Sequence, residues 1–579
     1  MSDETIVSPD GDTTPIETDY TVGQDNIQPQ IGPIGMDIHN PVFLISGLTI
    51  VAFVIFATAA PEQASTMFGW LRPAVTSTFD VVFLFAGDVF VVLALVLMIS
   101  PLGKVRIGGT EATPDYSYAG WFAMLFAAGM GIGLMFFGVS EPISHYTSSL
   151  AETAGSPESW APLGGAAGVE LEARRLAMAA TIFHWGLHPW AIYAIVGLSL
   201  AIFAYNKGLP LSVRSMFYPI FGERVWGWTG HVIDILAVFA TLFGLATSLG
   251  IGAQQANAGL NFLFGIPESD LSMVVLICGI TGVALVSVVA GLDAGVKRLS
   301  EINMILAALL LVFVIAVGPT LIIATGFFAN LLAYAEYLPA LANPFGRSDT
   351  NFSQGWTSFY WAWWISWSPF VGMFIARVSR GRTVREFVIC VLLIPSLVSV
   401  LWMTAFGGSA ITMLNEGFSD IAEADMPLQL FTMLSDLPLA SITSFIAIVL
   451  VIVFFVTSSD SGSLVIDTIT AGGKVDAPVP QRVFWDGPAL RARAAARLRR
   501  AGQGTVVGTA RHLIRRTCAA PAAIGGPGRD HPGTGRQPGR TPTVAVRRLR
   551  RPTAPPRWPT APRCRRRSCR TARRSARPR

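Results

Sequence analysis

About ten runs of roughly twenty apolar residues recur between residues 41 and 470, and they constrain the fold more than any other feature. A helix needs about 20 apolar residues to cross the hydrocarbon core of a bilayer. Only 14% of the residues are charged and 52% are hydrophobic, whereas roughly a quarter are charged in an average soluble domain. The sequence therefore predicts an all-α integral membrane protein, with spans at about 41–60, 77–100, 117–140, 177–205, 231–260, 271–291, 303–327, 356–378, 384–410 and 439–470.

The charges of the loops predict the orientation of these spans. Basic residues cluster in the loops after even-numbered spans, and the loops after odd-numbered spans are mainly acidic. Because positively charged loops stay in the cytosol, we expect a multi-pass protein of the cell (inner) membrane with a cytosolic N-terminus. Residues 1–40 contain acids but no Lys or Arg. They resemble no cleavable signal and are predicted to form an acidic, disordered cytosolic tail.

The segment 486–579 differs in composition from everything before it. It contains about 25 Arg, no Lys and two acids, so residues 1–485 carry a net charge of about −18 against +5 for the whole chain. An Arg-rich stretch without Lys is typical of GC-rich codons read out of frame. We interpret it as out-of-frame sequence that follows a membrane domain of residues 41–485. The alternative is a basic tail that binds anionic lipid head groups, and a nucleic-acid-binding tail is disfavoured.

Three glycines at alternate positions lie inside the third apolar run, in the segment from Phe126 to Leu134. Each glycine costs roughly 1 kcal/mol of helix propensity relative to alanine. Irregular backbone at membrane depth is tolerated only where it is buried in protein or lines a cavity, and glycine-interrupted apolar segments indicate a transporter's binding site. The alternative is close packing of two helices through small residues.

Two aromatic segments suggest what such a cavity binds. The fourth span contains FHWGLHPWAIY (183–193), and the eighth contains YWAWWISWSPF (360–370). Aromatic cages bind quaternary ammonium groups by cation–π attraction, whereas an interfacial aromatic belt would explain only a few residues at the end of a span. His184 and His188 are one helical turn apart and could bind a metal, but no third ligand is evident, so packing or hydrogen bonding is the preferred interpretation.

A run of hydroxyl residues, Thr457 to Ser463, lies inside the tenth apolar span. Hydroxyls and carbonyls freed by an interruption of the helix are the ligands that Na⁺ requires. We therefore expect the helix to be interrupted here at a sodium site. The alternative is that this run is the cytosolic end of the helix.

Four segments together resemble the betaine/carnitine/choline transporter family: AAGMGIGLMFFGVSEP, FHWGLHPWAIY, WAWWISWSPFVGMFIARVSRGRTVREF and TSSDSGS. The resemblance covers about residues 40–485. It implies an inverted-repeat secondary transporter fold, in which two five-helix repeats follow two peripheral helices, and a homotrimer. Family members have twelve spans, so the last two helices are apparently missing here, in agreement with the out-of-frame interpretation of the tail.

The resemblance also implies which residues bind the substrate. The cage for the ammonium group would consist of Trp185, Trp190, Tyr193 and Trp364, with Trp363 and Trp367 nearby on the translocation path. The glycine segment would bind a carboxylate with backbone N–H groups, at Ala128, Met130, Gly131 and Ile132. Choline importers tend to carry an acid at the position of Gly133, so the glycine favours a zwitterion such as glycine betaine.

Two sodium sites follow from the same resemblance. The first would use the carbonyls of Ala127, Met130 and Phe454 with the hydroxyls of Thr457 and Ser458. The second would use Thr241 and Phe370. Some members carry a further hydroxyl where Leu245 stands, so this chain departs from the pattern of the second site.

The sequence thus predicts sodium-coupled import of a quaternary-ammonium compatible solute, with glycine betaine preferred, for osmoprotection by alternating access. Ectoine, proline betaine, carnitine and choline are alternatives within this class, and a membrane sensor on the same fold is the alternative of another class. No nucleophile–base pair indicates an enzyme. No cofactor is expected apart from Na⁺ as coupling ion. The expected partners are the solute, Na⁺, membrane lipid and further copies of the chain, and not nucleic acid.

Overall fold

The computed structural model describes residues 10–31, 34–129, 131–290, 297–475 and 477–487, and these residues are mostly helical. The helices that define the fold are α1 (Val42–Ala59), α2 (Pro61–Ile99), α3 (Tyr118–Gly129), α4 (Ile132–Leu150), α5 (Glu170–Trp185), α6 (Leu187–Ala201), α7 (Trp228–Phe264), α8 (Asp270–Ala290), α9 (Lys297–Val317), α10 (Thr320–Ala342), α11 (Ser358–Val378), α12 (Val384–Met403), α13 (Ala440–Thr470) and α14 (Val479–Asp486). Apart from its first two residues, the predicted out-of-frame tail 486–579 lies outside the described residues.

Four two-residue strands precede α1. They are β1 (Asn26–Ile27), β2 (Gln30–Ile31), β3 (Ile34–Gly35) and β4 (Ile38–His39), and they pair antiparallel as β1 with β4 and β2 with β3.

Nine helical stretches in the described part of the chain are long and apolar enough to cross a membrane. They include α1, α2, α7, α8, α9, α10 and α13, together with the two longer stretches Glu170–Asn206 and Val384–Asn415. The third and eighth predicted spans correspond to α3–α4 and to α11. The prediction of an all-α, multi-pass membrane protein is therefore confirmed.

The seventh predicted span, 303–327, is wrong in its boundaries. Helix α9 ends at Val317 and a separate helix, α10, begins at Thr320 and continues to Ala342. Pro319 causes the break, because the residue before a proline is disfavoured in the helical conformation. The apolar run continues across Gly318 and Pro319, so hydropathy alone merged two helices into one span.

An interruption of the helix was expected in both the third and the tenth predicted spans, and the structure has it only in the third. The third is broken as predicted: α3 ends at Gly129, α4 begins at Ile132, and Gly131 between them has φ −161° and ψ −137°. The predicted interruption of the tenth span is wrong, because α13 is one helix from Ala440 to Thr470. Its hydroxyls donate to carbonyls one turn earlier, such as Ser463 Oγ to Ser459 O at 2.9 Å, and so do not require the helix to unwind.

Small residues allow the central helices to approach closely. A Cβ on Gly197 of α6 would lie 3.1 Å from the carbonyl oxygen of Gly372 on α11. A Cβ on Gly462 of α13 would lie 2.2 Å from Leu245 Cδ1 on α7. Close backbone approach through glycine is typical of helix pairs in membranes. These two close approaches place α6 against α11 and α7 against α13, next to the candidate site.

The N-terminal segment, residues 10–31 and 34–40, is folded against the helical domain, so the prediction of a disordered tail is wrong for these residues. We call this segment the N-terminal strap. The Lys207 ammonium donates to the Thr14 carbonyl at 2.9 Å, and Lys474 pairs with Asp37 at 2.6 Å. The strap also pairs Asp10 with Arg380. Its acids thus neutralise basic residues of the loops that were predicted to be cytosolic.

Arg214 is the centre of the contact between the strap and the helices, and it is fully buried. Its guanidinium donates to the Tyr20 hydroxyl at 2.8 Å and to His39 Nε2 at 3.2 Å, and it pairs with Asp234 at 3.3 Å. Burial, together with the Arg214 charge, lowers the pKa of His39 to about 3. The imidazole is therefore neutral and can accept this hydrogen bond. Tyr20 also stacks on Trp226, with ring centroids 4.4 Å apart.

Replacing Tyr20 should release the strap. Tyr20→Ala removes both the ring that stacks on Trp226 and the acceptor of Arg214, and we expect it to weaken strap docking by about 2–4 kcal/mol. Tyr20→Phe keeps the ring and should cost only about 1 kcal/mol. Hydrogen exchange of the amides of residues 16–31 measures both changes. Equal exchange rates in the two variants would contradict the importance of the stacked ring.

Candidate functional site

The four predicted cage residues meet in the interior of the helical domain. Trp185 is the last residue of α5, Trp190 and Tyr193 lie on α6, and Trp364 lies on α11. The ring of Trp364 has edge-to-face contacts with Trp185 at 5.1 Å and with Tyr193 at 5.7 Å between centroids. Trp190 contacts Tyr193 in the same manner at 5.7 Å. All four side chains are buried, so the structure brings the predicted cage residues together.

Gly186 interrupts the helix between Trp185 and Tyr193, and both residues contact Trp364. Gly186 has φ −100° and ψ −129°, which ends α5 and begins α6. A Cβ at Gly186 would lie 2.7 Å from the carbonyl oxygen of Ile182, so only glycine fits this turn. The predicted fourth span did not include this break, although the glycine lies between the two aromatic halves of its motif.

Trp363 and Trp367 extend the aromatic surface from the cage towards α7. Trp363 lies nearly parallel to Trp364, with centroids 5.7 Å apart, and donates to Ser248 Oγ at 3.1 Å. Trp367 contacts Phe370 at 5.3 Å between centroids. Its indole nitrogen is buried and has no hydrogen-bond partner among the described residues.

Tyr193 also carries an unsatisfied polar atom. Its hydroxyl is buried and forms no hydrogen bond within the described ranges. Because buried polar groups are almost always paired, this hydroxyl is available to a ligand in the cage.

The glycine break between α3 and α4 lies beside the cage. A Cβ at Gly133 would lie 2.5 Å from Trp185 Cη2 and 3.5 Å from Trp363 Cη2. A Cβ at Gly131 would instead lie 3.7 Å from Phe454 and 3.9 Å from Ser458 Oγ. Gly133 therefore faces the cage, whereas Gly131 faces the predicted sodium ligands. Ala127 and Ala128 lie in the last turn of α3, Ile132 begins α4, and Met130 lies outside the described residues.

Three predicted ligands of the first sodium site, Phe454, Thr457 and Ser458, are spaced along one face of α13, and Phe454 and Ser458 lie next to Gly131. Thr457 Oγ1 lies 3.1 Å from Val453 O and accepts a hydrogen bond from Asn303 Nδ2 at 3.1 Å. Asn303 is buried on α9, and its Oδ1 has no partner in the part of the chain that the structure describes. The sequence analysis missed Asn303, which is a single amide among apolar residues.

The second predicted sodium site has fewer available oxygen ligands than the first. Thr241 and Phe370 are both buried, on α7 and α11. The Thr241 hydroxyl donates to the Ala237 carbonyl at 2.8 Å within its own helix. Leu245, at the position of the missing hydroxyl, packs against Gly462.

The two histidines of the fourth span bind different acids. His184 Nδ1 contacts Glu141 at 2.6 Å, and His188 Nε2 contacts Asp88 at 2.9 Å. Hydrogen bonding therefore explains both side chains. Glu141, His145 and His184 have potential ligand atoms within 4.8 Å of one another and form the one metal-type cluster of the described residues. The role of Glu141 was not predicted, although it is the single acid of α4.

A buried aromatic cage between interrupted helices, in a chain with nine helical stretches long and apolar enough to cross a membrane among its described residues, is the arrangement expected of a membrane transport protein. The chain belongs to the betaine/carnitine/choline family of transporters, because the sequence model of that family matches residues 41–509. It is accordingly a transporter and not an enzyme.

Several relatives have high sequence identity. A glycine betaine/proline/choline transporter of Vibrio parahaemolyticus is 66% identical over 83% of this chain and 88% of that protein. Glycine betaine transporter 1 of the same organism is 55% identical over 81% and 87%. The glycine betaine transporter OpuD of Bacillus subtilis is 42% identical over 77% and 85%.

Gly133→Ala should disturb the cage, because the added methyl would lie 2.5 Å from Trp185. We expect a loss of about 1–3 kcal/mol of stability from overpacking and a change in intrinsic tryptophan fluorescence. Gly131→Ala is the matched control, since its nearest contact would be 3.7 Å. Thermal unfolding and emission spectra of the purified protein measure both. If the two variants behave alike, Gly133 is not the contact that positions Trp185.

Proposed function

We propose that this chain imports a quaternary-ammonium compatible solute together with sodium, that glycine betaine is the preferred solute, and that import serves osmoprotection. The observation that carries the proposal is the buried cage of Trp185, Trp190, Tyr193 and Trp364 beside the glycine break. Four aromatic rings suit a trimethylammonium group, which offers no N–H to hydrogen-bond acceptors and is attracted by ring faces.

The glycine break supports a zwitterionic solute. The backbone N–H groups of Ile132 and Gly133 lie in the first turn of α4, where they have no acceptor within the helix, and are available to a carboxylate. An acid at position 133 would collide with Trp185, whose ring lies 2.5 Å from a Cβ there. This segment therefore supplies hydrogen-bond donors and no negative charge, which suits a solute with its own carboxylate.

The names of the relatives support the same choice. Glycine betaine occurs in the names of all three relatives described above, and one of them also includes proline and choline. Ectoine, proline betaine and carnitine are further candidates for the same cage.

Sodium coupling is supported by the position of Gly131 next to Ser458 and Phe454. Hydroxyl and carbonyl oxygens are the ligands of hard cations such as Na⁺. Because α13 is continuous, the hydroxyls of Thr457 and Ser458 would contribute more than freed carbonyls do. We propose one sodium at this site. A second at Thr241 and Phe370 has fewer oxygen ligands, since Leu245 offers none.

The proposed mechanism is alternating access within an inverted-repeat fold, and the proposed assembly is a homotrimer. Orientation with the N-terminus in the cytosol follows from the basic loops and agrees with the strap, whose acids contact those loops.

Trp364→Ala should weaken glycine betaine binding by about 1–3 kcal/mol, because one desolvated ring face and its packing are lost. Trp364→Phe keeps a smaller ring and should lose less. Trp228→Ala removes an exposed tryptophan outside the cage and serves as the control. Isothermal titration with glycine betaine in saturating NaCl measures the three affinities. Wild-type affinity in Trp364→Ala would exclude this residue from the site.

Removing the hydroxyls of α13 should lower the response to sodium. In liposomes with purified protein, an inward Na⁺ gradient should drive accumulation of radiolabelled glycine betaine, and a K⁺ gradient should not. Thr457→Ala and Ser458→Ala should raise the Na⁺ concentration for half-maximal uptake by about tenfold, since each deletes one oxygen ligand. The binding free energies of Na⁺ and glycine betaine are coupled reciprocally, so betaine binding should also lose its dependence on Na⁺.

Thr443→Ala is the matched control for this series. Thr443 is a buried threonine of α13 whose hydroxyl lies 3.2 Å from the Leu439 carbonyl, far along the helix from Gly131. Its removal should leave the sodium response unchanged. Betaine binding without accumulation in any gradient would favour the sensor over the transporter.

A further inference from the structure

A buried carboxylate lies directly behind the cage. Glu141 on α4 is fully buried. Its Oε2 accepts from Trp185 Nε1 at 2.8 Å and from the Tyr360 hydroxyl at 2.5 Å. Its Oε1 lies 2.6 Å from His184 Nδ1 and 3.2 Å from His145 Nε2. Trp185 is a cage residue, and Tyr360 stacks on Trp363 and Trp364 with centroids 6.0 and 6.3 Å away.

The hydrogen bonds indicate that this carboxyl group is ionised. A carboxylate is an acceptor only, with about four lone-pair directions, and Glu141 has four partners. The indole N–H can only donate, and the Tyr360 hydroxyl donates to the same carboxylate oxygen. His184 Nε2 lies 3.0 Å from the Thr357 hydroxyl. If this nitrogen accepts a hydrogen bond from the hydroxyl, the proton of the neutral imidazole is on Nδ1 and points at Glu141. A proton on the carboxyl group would compete with these donors.

No Lys or Arg of the described residues forms an ion pair with Glu141. The two basic side chains that contact it are His145 and His184. Each carboxylate oxygen has two partners, so Glu141 is satisfied as a hydrogen-bond cluster without a Lys or Arg.

We propose that Glu141 is the countercharge of the cage and makes the site selective for a positively charged head group over a neutral one of the same shape. This inference rests on the proposed function. The charge acts through Trp185 and Tyr360: a carboxylate that accepts from an indole N–H or a phenol O–H increases electron density on the ring, and the ring face attracts a cation more strongly. A charge buried at low dielectric also acts over a longer distance than one in water.

The selectivity concerns the ammonium charge alone. Glycine betaine and choline share the trimethylammonium head, so Glu141 favours both. It discriminates against 3,3-dimethylbutanoate, which has the shape and the carboxylate of glycine betaine but a carbon atom in place of the nitrogen. The glycine break recognises the carboxylate, which the two compounds share, so the ratio of their affinities isolates the effect of the positive charge.

The test compares these two compounds on the purified full-length chain by isothermal titration in saturating NaCl. Glu141→Gln keeps the shape of the side chain and removes its charge. We expect the affinity for glycine betaine relative to 3,3-dimethylbutanoate to fall by about tenfold, while the affinity for 3,3-dimethylbutanoate stays within about twofold or improves. Tyr360→Phe removes one donor to the carboxylate and keeps its charge, so the ratio should fall by a smaller factor, about threefold.

The control is Glu336→Gln, which removes an exposed glutamate on α10 and should leave the ratio unchanged. Equal weakening of both compounds in Glu141→Gln would mean that the residue only supports the fold, and an unchanged ratio would also overturn the inference. If Glu141→Gln does not give a folded protein, an unchanged ratio together with unchanged affinities in Tyr360→Phe overturns it. Failure of the wild type to bind glycine betaine at all would instead reject the proposed function.

Discussion

Backbone polar groups in the interior of a membrane protein must find partners within the protein, and the arrangement of this molecule depends on that constraint. Regular helical bonding stops at two places beside the cage, between Gly129 and Ile132 and at Gly186. The two breaks lie against each other, because Gly133 contacts the ring of Trp185, the residue before the second break. The irregular backbone lies against protein side chains, which allows it to occur at membrane depth. Its N–H groups without an intrahelical acceptor are donors for a ligand.

The start of α4 connects the proposed solute and ion sites. Gly131 lies beside Phe454 and Ser458, and two residues later Gly133 lies beside Trp185 and Trp363. A shift of this short segment would alter both sites together, which is how one bound species can change the affinity for the other. Glu141 lies two to three turns further along the same helix and holds Trp185 from behind. The start of α4 thus lies between the proposed ion site and the proposed cage, and the same helix carries Glu141.

The sequence predicted those features that depend on local pattern. Apolar length located most helices, and the glycine spacing located the first break. The continuity of α13 was not predicted, because hydroxyls can bond to their own helix as well as to an ion. Glu141 was missed for another reason: its partners Trp185 and Tyr360 lie 44 and 219 residues away in the chain. The folding of the strap was not predicted for the same reason, because its acids pair with basic residues that are distant in the sequence.

The N-terminal strap also has a consequence for the order of assembly. Its residues are synthesised first, yet Asp37 pairs with Lys474 and Asn26 donates to Ala471 O, across 437 and 445 residues of sequence. Contacts between such distant residues form slowly, because the long intervening chain must be brought together before they stabilise anything. The contacts of the strap with Ala471 and Lys474 can therefore form only after α13 has been synthesised, whereas those with Lys207 and Arg214 require only the first part of the chain.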